Sequence, residues 1–273
     1  MTAEAEAARA RGERIVLVPT MGALHAGHVA LLHEGRRRGD RLVLSIFVNP
    51  TQFGPKEDLA KYPRPIEADL EKAAQAGVDV VFMPTAAAMY PPGYQTFVEV
   101  RDLQQGLCGD VRPGHFVGVA TVVCKLFTIV RPHLAIFGEK DFQQLAVITR
   151  MTADLNLGVQ IIPSPTVREA DGLAMSSRNT YLSPPERARA VALSQGLRAA
   201  EAALAAGERD GKKLIAAANA IIKPAVDRMD YLELRDANSL APVATVTGES
   251  VMLVAAFVGT TRLIDNLRLR PAA

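Results

Sequence analysis

A short apolar run that turns directly into a helix constrains this 273-residue chain more than any other stretch. Residues 15–18 (IVLV) form the uninterrupted apolar segment typical of a strand buried on both faces. Pro19 is expected to end that strand. Thr20 and Gly22 supply the turn, and a helical pattern begins at Gly27. The N-terminus of such a helix exposes free N–H groups and a partial positive charge, which favours phosphate binding.

The same alternation of apolar strands and helices continues to about residue 165. Four further buried strands are predicted at residues 42–48, 78–83, 134–137 and 159–163. Helices are predicted at residues 67–77, 119–130 and 142–155, the last with Asp141 as its N-cap. Because parallel strands need crossovers, the sequence predicts an α/β fold with a Rossmann-like, doubly wound parallel sheet that binds ligands at the carboxyl ends of its strands.

The pattern changes in the last third of the chain, which predicts a second, smaller domain of the α+β type. Ser183 and Glu186 flank two prolines as a capping box for a long helix that ends at Gly207. Another helix is predicted at residues 212–226. Three antiparallel strands are predicted at residues 231–234, 251–258 and 263–269. The predicted domains are therefore residues 1–166 and residues 167–273.

Composition argues against several classes of function. The formal net charge is +2 and aromatic residues make up 5%, which gives no basic, aromatic-rich surface for nucleic acids or anionic membranes. No apolar stretch has the length of a membrane span, and residues 1–13 suggest an amphipathic surface helix rather than a signal peptide. Cys108 and Cys124 lack metal-ligand spacing. We therefore expect a cytoplasmic protein with reduced thiols and with no nucleic-acid or membrane partner.

Two histidines, His25 and His28, flank Ala26 and Gly27 at the predicted start of the first helix. Taken alone, such a pair is more often one buried and one surface histidine, and no third ligand accompanies them to suggest a metal site. After a glycine-rich turn, however, two imidazoles can donate to phosphate oxygens and stabilise charge that builds on an α-phosphate. We therefore favour the phosphate role.

Further polar clusters follow the second strand and precede the long apolar helix. Asn49 and Gln52 are neutral amides suited to a carboxylate or hydroxyl, although Asn-Pro alone only signals a turn. Residues 54–62 form a polar loop of the kind that closes over a site, but most such loops are passive. Arg112 and His115 fit either a site or an ordinary helix N-terminus.

Two clusters lie at later strand and loop positions. Lys140 follows a predicted strand with the reach to meet a phosphate, and Gln144 lies one helical turn later on the same side. The alternative is that the charged triplet Glu139, Lys140 and Asp141 is only a solvent-exposed helix cap. Ser176, Ser177 and Arg178 supply two hydroxyls and a guanidinium, a combination that can clamp a triphosphate and neutralise leaving pyrophosphate. A plain surface turn is the alternative.

Five motifs, taken together and in this order, resemble the pantoate–β-alanine ligase family: PTMGALHAGH, FVNPTQFGPKEDLAKYPR, GHFVGVATVV, FGEKDFQQL and READGLAMSSRN. The HxGH element alone is shared by a broad nucleotidyltransferase superfamily, whereas all five in sequence are highly specific. MSSR matches the family's counterpart of the KMSKS loop in class I aminoacyl-tRNA synthetases. LELRDA and GTTRLIDN also resemble the family's second domain.

The resemblance implies condensation of pantoate with β-alanine to pantothenate, with ATP as a substrate and AMP and pyrophosphate released through a pantoyl-adenylate. Mg²⁺ is expected to be held mainly by the phosphates, without an all-protein metal site, and the protein to be a homodimer. Residues 1–166 would bind ATP and pantoate, and residues 167–273 would carry the MSSR loop. Two alternatives stay open: an HxGH nucleotidyltransferase that keeps AMP on its product, and a noncatalytic nucleotide-binding module.

The family's site residues fall on matching positions of this sequence. His28 matches the catalytic proton donor, and Gln52 and Gln144 match the pantoate-binding glutamines, with Gln52 also near β-alanine. The catalytic set, expected to act as hydrogen-bond and charge donors, is His25, His28, Lys140, Ser176, Ser177 and Arg178. The implied ATP-binding positions are Met21, Gly22, Ala23, Leu24, His25, Ala26, Gly27, His28, Gly138, Glu139, Lys140, Asp141, Val167, Met175, Ser176, Ser177 and Arg178.

Overall fold

The computed structural model describes residues 1–55 and 57–271, with only the backbone of Asp58. The chain forms two compact units. The first unit comprises Met1–Glu139 and Gln144–Pro165, and the second comprises Lys140–Gln143 and Thr166–Ala273. The predicted boundary between residues 166 and 167 lies one residue from this division, but Lys140–Gln143 group with the second unit.

The first unit is built on a parallel sheet of five strands. These strands are β1 (Ile15–Thr20), β2 (Arg41–Ile46), β3 (Val80–Phe82), β4 (Leu134–Gly138) and β5 (Gln160–Ser164). They lie in the order β3-β2-β1-β4-β5, and every neighbouring pair is parallel. All five predicted strands are thus confirmed to within a few residues. The strand order reverses between β1 and β4, which is the point where open α/β sheets bind ligands.

Helices connect these strands and flank the sheet. They are α1 (Thr2–Ala10), α2 (Ala26–Arg36), α3 (Ile66–Gln75), α4 (Ala86–Met89), α5 (Cys108–Val111), α6 (His115–Val130) and α7 (Phe142–Asp154). The predicted N-terminal helix is confirmed and buries Ala5 and Ala8. Helix α6 begins four residues earlier than predicted, because Gly114 adopts a left-handed conformation (φ +80°) at its N-cap.

Pro19 lies inside β1, so the prediction that it ends the strand is wrong. Strand β1 pairs with β2 along all six residues, including Pro19 and Thr20. With β4 it pairs only at Val16 and Leu17. A proline lacks an N–H and continues a strand only where no ladder hydrogen bond is required of it.

The side of β1 that Pro19 faces explains why it is tolerated. The carbonyl oxygen of Ile15 accepts from the N–H of His133, next to β4, at 2.8 Å. The carbonyl oxygen of Thr20 accepts from the N–H of Phe47, just after β2, at 3.0 Å. Because alternate residues of a strand direct their backbone groups to the same neighbour, Pro19 faces β4, as Ile15 does. The missing N–H therefore leaves the β2 ladder intact.

The second unit contains an antiparallel sheet of three strands and three helices. The helices are α8 (Pro184–Ala190), α9 (Ala192–Ala205) and α10 (Gly211–Ile222), and the strands are β6 (Arg228–Asp236), β7 (Ser250–Val258) and β8 (Thr261–Leu269). Strand β7 lies between β6 and β8. Leu197 of α9, Leu214 of α10 and Val254 of β7 share one buried apolar cluster. The three predicted antiparallel strands and the helix predicted at residues 212–226 are confirmed, and with them the α/β and α+β parts of the fold class.

The long helix predicted up to Gly207 is instead two helices with Val191 between them. Val191 keeps helical backbone angles (φ −61°, ψ −24°) and forms a one-residue turn between α8 and α9. The Ser194 hydroxyl donates to the Val191 carbonyl oxygen at 3.0 Å and so competes with the helical ladder. The predicted capping box is confirmed, since the Glu186 carboxylate accepts from the N–H and the hydroxyl of Ser183.

No helix in the described part of the chain is both long and apolar enough to cross a membrane.

Candidate active site

The turn between β1 and α2 is held in a left-handed conformation by α3. Gly22 and Ala23 have φ values of +85° and +52°. Asp69, a fully buried residue of α3, accepts from the N–H groups of Ala23 (2.8 Å) and Leu24 (2.7 Å). The Lys72 ammonium donates to the Leu24 carbonyl oxygen at 2.7 Å. These three bonds offset the cost of a left-handed non-glycine residue, which is about 1–2 kcal/mol.

His25 and His28 cap the N-terminus of α2 reciprocally. The Nδ1 of His25 accepts from the N–H of Gly27 at 3.1 Å, and the Nδ1 of His28 accepts from the N–H of His25 at 3.3 Å. A ring nitrogen that accepts a hydrogen bond carries no proton, so each neutral imidazole has its proton on Nε2. The caps therefore make both histidines Nε2–H donors at the positive end of α2.

The side chain of Gln52, which follows β2, is oriented by Asn49. Asn49 is 1% exposed. Its Nδ2 donates to Gln52 Oε1 and to the Gly118 carbonyl oxygen, both at 3.1 Å, while its Oδ1 accepts from the Tyr90 hydroxyl at 2.9 Å. Because Gln52 Oε1 accepts from Asn49, the donor group Nε2 points the other way and lies 3.3 Å from Met21 Sδ. Gln52 therefore offers a hydrogen-bond donor, as a carboxylate ligand requires.

Helix α6 fixes the main chain of Gln52. The Nδ1 of His115 lies 2.9 Å from the Gln52 carbonyl oxygen, and Arg112 donates to the same oxygen at 3.3 Å. A Cβ atom at Gly118 would lie 2.4 Å from the Thr51 carbonyl oxygen and 2.7 Å from the Gln52 nitrogen. Only glycine fits at such a distance, so α6 contacts the segment that carries Gln52 backbone to backbone.

Arg112 also ties the predicted polar loop at residues 54–62 to the start of α6. It donates two hydrogen bonds of 2.6 Å to the Glu57 carboxylate. Burial by itself raises the pKa of Glu57, but the hydrogen bonds and charge of Arg112 outweigh it, and the pKa lies below its ordinary value. The pair is therefore charged at neutral pH. Lys56, in the middle of this loop, lies outside the described residues.

Three predicted residues, Glu139, Lys140 and Asp141, lie in the segment that joins β4 to α7, and Gln144 lies in the first turn of α7. Asp141, the expected N-cap of α7, is the last residue of a short 3-10 turn, Glu139–Asp141, that runs directly into the helix. Lys140 lies in the same turn with its side chain 20% exposed and Nζ 3.9 Å from Asp141 Oδ2. Gln144 is half-buried on α7, next to the buried Gln143.

In the second unit a small hairpin precedes the predicted triphosphate loop. The Met175 N–H donates to the Val167 carbonyl oxygen at 2.9 Å, and the Glu169 N–H donates to that of Leu173 at 2.8 Å. Gly172 makes the turn with φ +94°. The two predicted ATP-binding positions Val167 and Met175 are thus hydrogen-bonded partners at the open end of one hairpin.

The serine-rich loop that follows this hairpin has a fixed backbone. Ser176 caps a short 3-10 helix, since its Oγ accepts from the N–H of Arg178 at 3.2 Å. Because the hydroxyl accepts in this bond, its hydrogen serves another acceptor. The Asn179 amide donates to Glu169 Oε1 at 2.7 Å and to the Ala174 carbonyl oxygen at 3.1 Å, which ties the loop back to the hairpin.

The predicted residues thus fall into two groups, one in each unit. In the first unit the residues 21–28, Gln52 and Gln144 belong to the loops and helices that follow β1, β2 and β4, and Met21 and Gln52 are in contact. The second unit carries Lys140 and the loop of Ser176, Ser177 and Arg178.

Three residues that hold this site were not predicted: Asp69, Lys72 and Gly118. Asp69 and Lys72 carry no local signal, because acidic and basic residues are ordinary on an exposed helix. Gly118 carries one, since a glycine inside an apolar helix is unfavourable unless another backbone approaches closely.

A helix N-terminus behind the first strand of a parallel sheet, close to the point where the strand order reverses, is the arrangement in which α/β proteins bind nucleotide phosphates. A family model for pantoate-beta-alanine ligase matches residues 1–268 of this chain. The chain belongs to the pantoate-beta-alanine ligase family.

Similar proteins agree with this assignment. A pantothenate synthetase of Myxococcus xanthus (strain DK1622) is 59% identical over 264 residues, which cover 96% of this chain and 90% of that protein. One of Anaeromyxobacter dehalogenans (strain 2CP-C) is 57% identical over 274 residues, covering 98% of this chain and 95% of that protein. The predicted family is therefore confirmed.

Two solved structures share the fold. Pantothenate synthetase from Thermus thermophilus has a TM-score of 0.94 at 44% identity, covering 99% of this chain and 98% of that chain. Pantoate-beta-alanine ligase from Francisella tularensis, complexed with beta-gamma ATP and beta-alanine, has a TM-score of 0.79 at 32% identity, covering 97% of this chain and 95% of that chain.

Proposed function

We propose that this protein condenses pantoate with β-alanine to pantothenate, using ATP and releasing AMP and pyrophosphate through a pantoyl-adenylate. The structural observation that supports this most directly is the reciprocal cap of His25 and His28. It presents two Nε2–H donors at the N-terminus of α2, which is the requirement for charge stabilisation on a phosphate.

In the first half-reaction a carboxylate oxygen of pantoate attacks the α-phosphorus of ATP. A new O–P bond forms, the bond to the β-phosphate oxygen breaks, and pyrophosphate leaves. Negative charge accumulates on phosphate oxygens, so the protein has to supply donors rather than a nucleophile. We assign this role to His25, His28, Lys140, Ser176, Ser177 and Arg178.

Pantoate is proposed to lie against Gln52 and Gln144. The Nε2 group of Gln52, set by Asn49, donates to the pantoate carboxylate or a hydroxyl. Removing one such partner leaves a buried polar group unsatisfied, which costs about 1–3 kcal/mol. The glutamines therefore discriminate pantoate from ligands that lack these oxygens.

In the second half-reaction the amine nitrogen of β-alanine attacks the acyl carbon of the adenylate. A C–N bond forms, the C–O bond to AMP breaks, and the nitrogen loses a proton. This step needs mainly proximity and exclusion of water. Ser176 and Ser177 show no His-Asp pairing in the sequence, so we propose that neither is a nucleophile and that the acyl group stays on AMP.

Mg²⁺ is proposed to reach the site bound to the phosphates of ATP. Mg²⁺ keeps several waters and often binds through substrate phosphates rather than through a protein cage. The proposed donor set is cationic or neutral, which suits phosphate oxygens more than a metal. Across the described residues, no group of three or more His, Cys, Asp or Glu side chains is placed to hold a metal ion.

We also propose a homodimer that works in the cytoplasm. The family resemblance supports the dimer, and Cys108 and Cys124, which form no disulfide in the described part of the chain, suit a reducing compartment. Sedimentation at micromolar concentration should give the mass of two chains. A single-chain mass at that concentration would contradict the dimer.

The test of the reaction is pyrophosphate exchange. Pantoate and ATP, without β-alanine, should exchange labelled pyrophosphate into ATP, because the adenylate forms reversibly. Adding β-alanine should then release AMP and pantothenate.

Each other outcome excludes part of the proposal. Exchange that requires β-alanine would show a concerted reaction, and AMP retained on the product would show a nucleotidyltransferase. ATP binding without turnover would show a noncatalytic module. A pantoyl-sized mass increase on the intact chain would show a covalent route.

A further inference from the structure

Strand β8 carries two consecutive buried polar residues, Asp265 and Asn266, which are 3% and 6% exposed. Successive residues of a strand face opposite sides of the sheet. Leu263 and Leu269, which have the same parity as Asp265, belong to the apolar core beneath the helices. Asp265 therefore faces that core and Asn266 faces the other side of the sheet.

The core-facing Asp265 is held by a guanidinium. Arg168 donates to both carboxylate oxygens, at 2.7 and 2.9 Å, and the N–H of Asn266 donates to Oδ1 at 2.8 Å. Arg168 also donates to the Gly172 carbonyl oxygen at 3.0 Å and to that of Asn266 at 3.3 Å. A buried bidentate pair with its other groups satisfied allows one geometry. It fixes the hairpin of residues 167–175 to β8.

On the opposite face, Asn266 holds the turn that carries Lys140. The Asn266 Nδ2 donates to the Lys140 carbonyl oxygen at 2.8 Å. Two residues further along β8, the Arg268 guanidinium lies 4.8 Å from the centroid of the Phe142 ring. These two contacts hold Lys140–Gln143 to the second unit, although β4 and most of α7 belong to the first.

We propose that Asn266 is a positioning residue, which sets the main chain of Lys140 and thereby the place of its ammonium group in the adenylation step. Its neighbour Asp265 fixes the hairpin that precedes Ser176. These two consecutive residues therefore position both sets of proposed donors in the second unit, Lys140 and the loop of residues 176–178. This inference rests on the proposed function, in which Lys140 contacts the phosphates. Neither Asp265 nor Asn266 is proposed to touch a substrate.

The test is a double-mutant cycle between Asn266 and Lys140 on the full-length protein, with pantoate-dependent pyrophosphate exchange as the readout. Asn266→Ala removes the donor, and the similarly shaped Asn266→Leu removes it without introducing a charge. An error of about 1 Å in position costs about a hundredfold in rate. We expect a smaller displacement of Lys140 in each variant, and therefore a loss of about tenfold in the exchange rate. In a Lys140→Ala background the same changes should alter the rate less than about twofold.

The control is Arg262→Met on the same face of β8. Arg262 pairs with Asp230 at 2.8 Å, away from the Lys140 turn. Its loss should lower the melting temperature but leave exchange within about twofold of wild type. The KM for β-alanine, which enters after adenylation, should stay unchanged in every Asn266 variant.

The outcomes separate this inference from the proposed function. If Lys140→Ala slows exchange strongly and Asn266→Leu multiplies that loss, Asn266 acts independently of Lys140 and the inference is wrong. If Lys140→Ala leaves exchange near wild type, the phosphate role of Lys140 fails first and the inference fails with it. If Asn266→Ala does not fold, Asn266→Leu alone decides, because it fills the same volume.

Discussion

We expect that adding a single methyl group at Gly118 lowers kcat/KM for pantoate while the fold is retained. In Gly118→Ala the new Cβ would lie 2.4 Å from the Thr51 carbonyl oxygen, whereas real Cβ atoms essentially never approach closer than 3.0 Å. Helix α6 and the segment of Gln52 must therefore move apart by at least about 0.6 Å, and by about 1 Å for ordinary contact.

The expected magnitude follows from that displacement. A misplacement of about 1 Å costs about a hundredfold in rate, so we expect kcat/KM for pantoate to fall between about tenfold and a hundredfold. Stability should change less. Overpacking costs about 1–3 kcal/mol, but alanine gains about 1 kcal/mol over glycine inside a helix. The KM for ATP should change little, because the His25 cap lies on another loop.

Two glycine variants serve as controls for this prediction. Gly196→Ala puts a Cβ 2.4 Å from Ile222 Cγ1 in the second unit, which should lower stability without changing the KM for pantoate. Gly248→Ala meets nothing within 4 Å and should change neither. Steady-state kinetics and thermal unfolding of the three proteins measure both effects. A folded Gly118→Ala protein with the wild-type kcat/KM for pantoate would refute the reasoning.

Three further predictions concern single side chains. Lys140→Ala and His28→Ala should each lower turnover at least about a hundredfold with the fold intact, because that is the usual loss for one charge-stabilising donor. Turnover is measured as AMP release, and a near-wild-type rate in a folded variant would reject the role of that residue. Gln144→Ala should weaken pantoate binding by about 1–3 kcal/mol and leave ATP binding unchanged, and calorimetric titration that shows equal losses for both ligands would remove the assignment. Because Arg112 keeps the pKa of Glu57 below its unfolded value, their pair stabilises the fold above about pH 4.3, and this stabilisation is lost as pH falls through the folded pKa. The melting temperature of Glu57→Gln should therefore lie below wild type at pH 7, and the difference should shrink as pH falls below about 4.3. A difference that does not depend on pH would contradict the charged pair.

The sheet was predictable because burial on both faces leaves a local trace in the sequence. The run at residues 42–48 gave β2 to within two residues at its end, and the capping box at Ser183 gave the start of α8. The prediction that Pro19 ends β1 is wrong for a physical reason. Whether a proline ends a strand depends on which neighbour its nitrogen faces, and that is a property of the pairing rather than of the strand.

The sequence indicates candidate site residues most clearly where polar residues come soon after an apolar strand. His25, His28 and Gln52 do so, and their polar chemistry stands out against the apolar runs before them. Asp69 acts on a turn 45 and 46 residues earlier in the chain, and Asn266 acts on Lys140 across 126 residues. Such contacts exist only after the chain has folded, so their residues look like ordinary surface positions in the sequence.

The position of Pro19 has a consequence for the carboxyl end of β1. Neighbouring parallel strands gain hydrogen bonds as more residues come into register, so β1 and β4 would otherwise tend to pair further towards their carboxyl ends. The pyrrolidine ring removes the donor that such pairing requires. The separation of β1 from β4 beyond Leu17 is therefore favoured by the covalent structure of the chain itself.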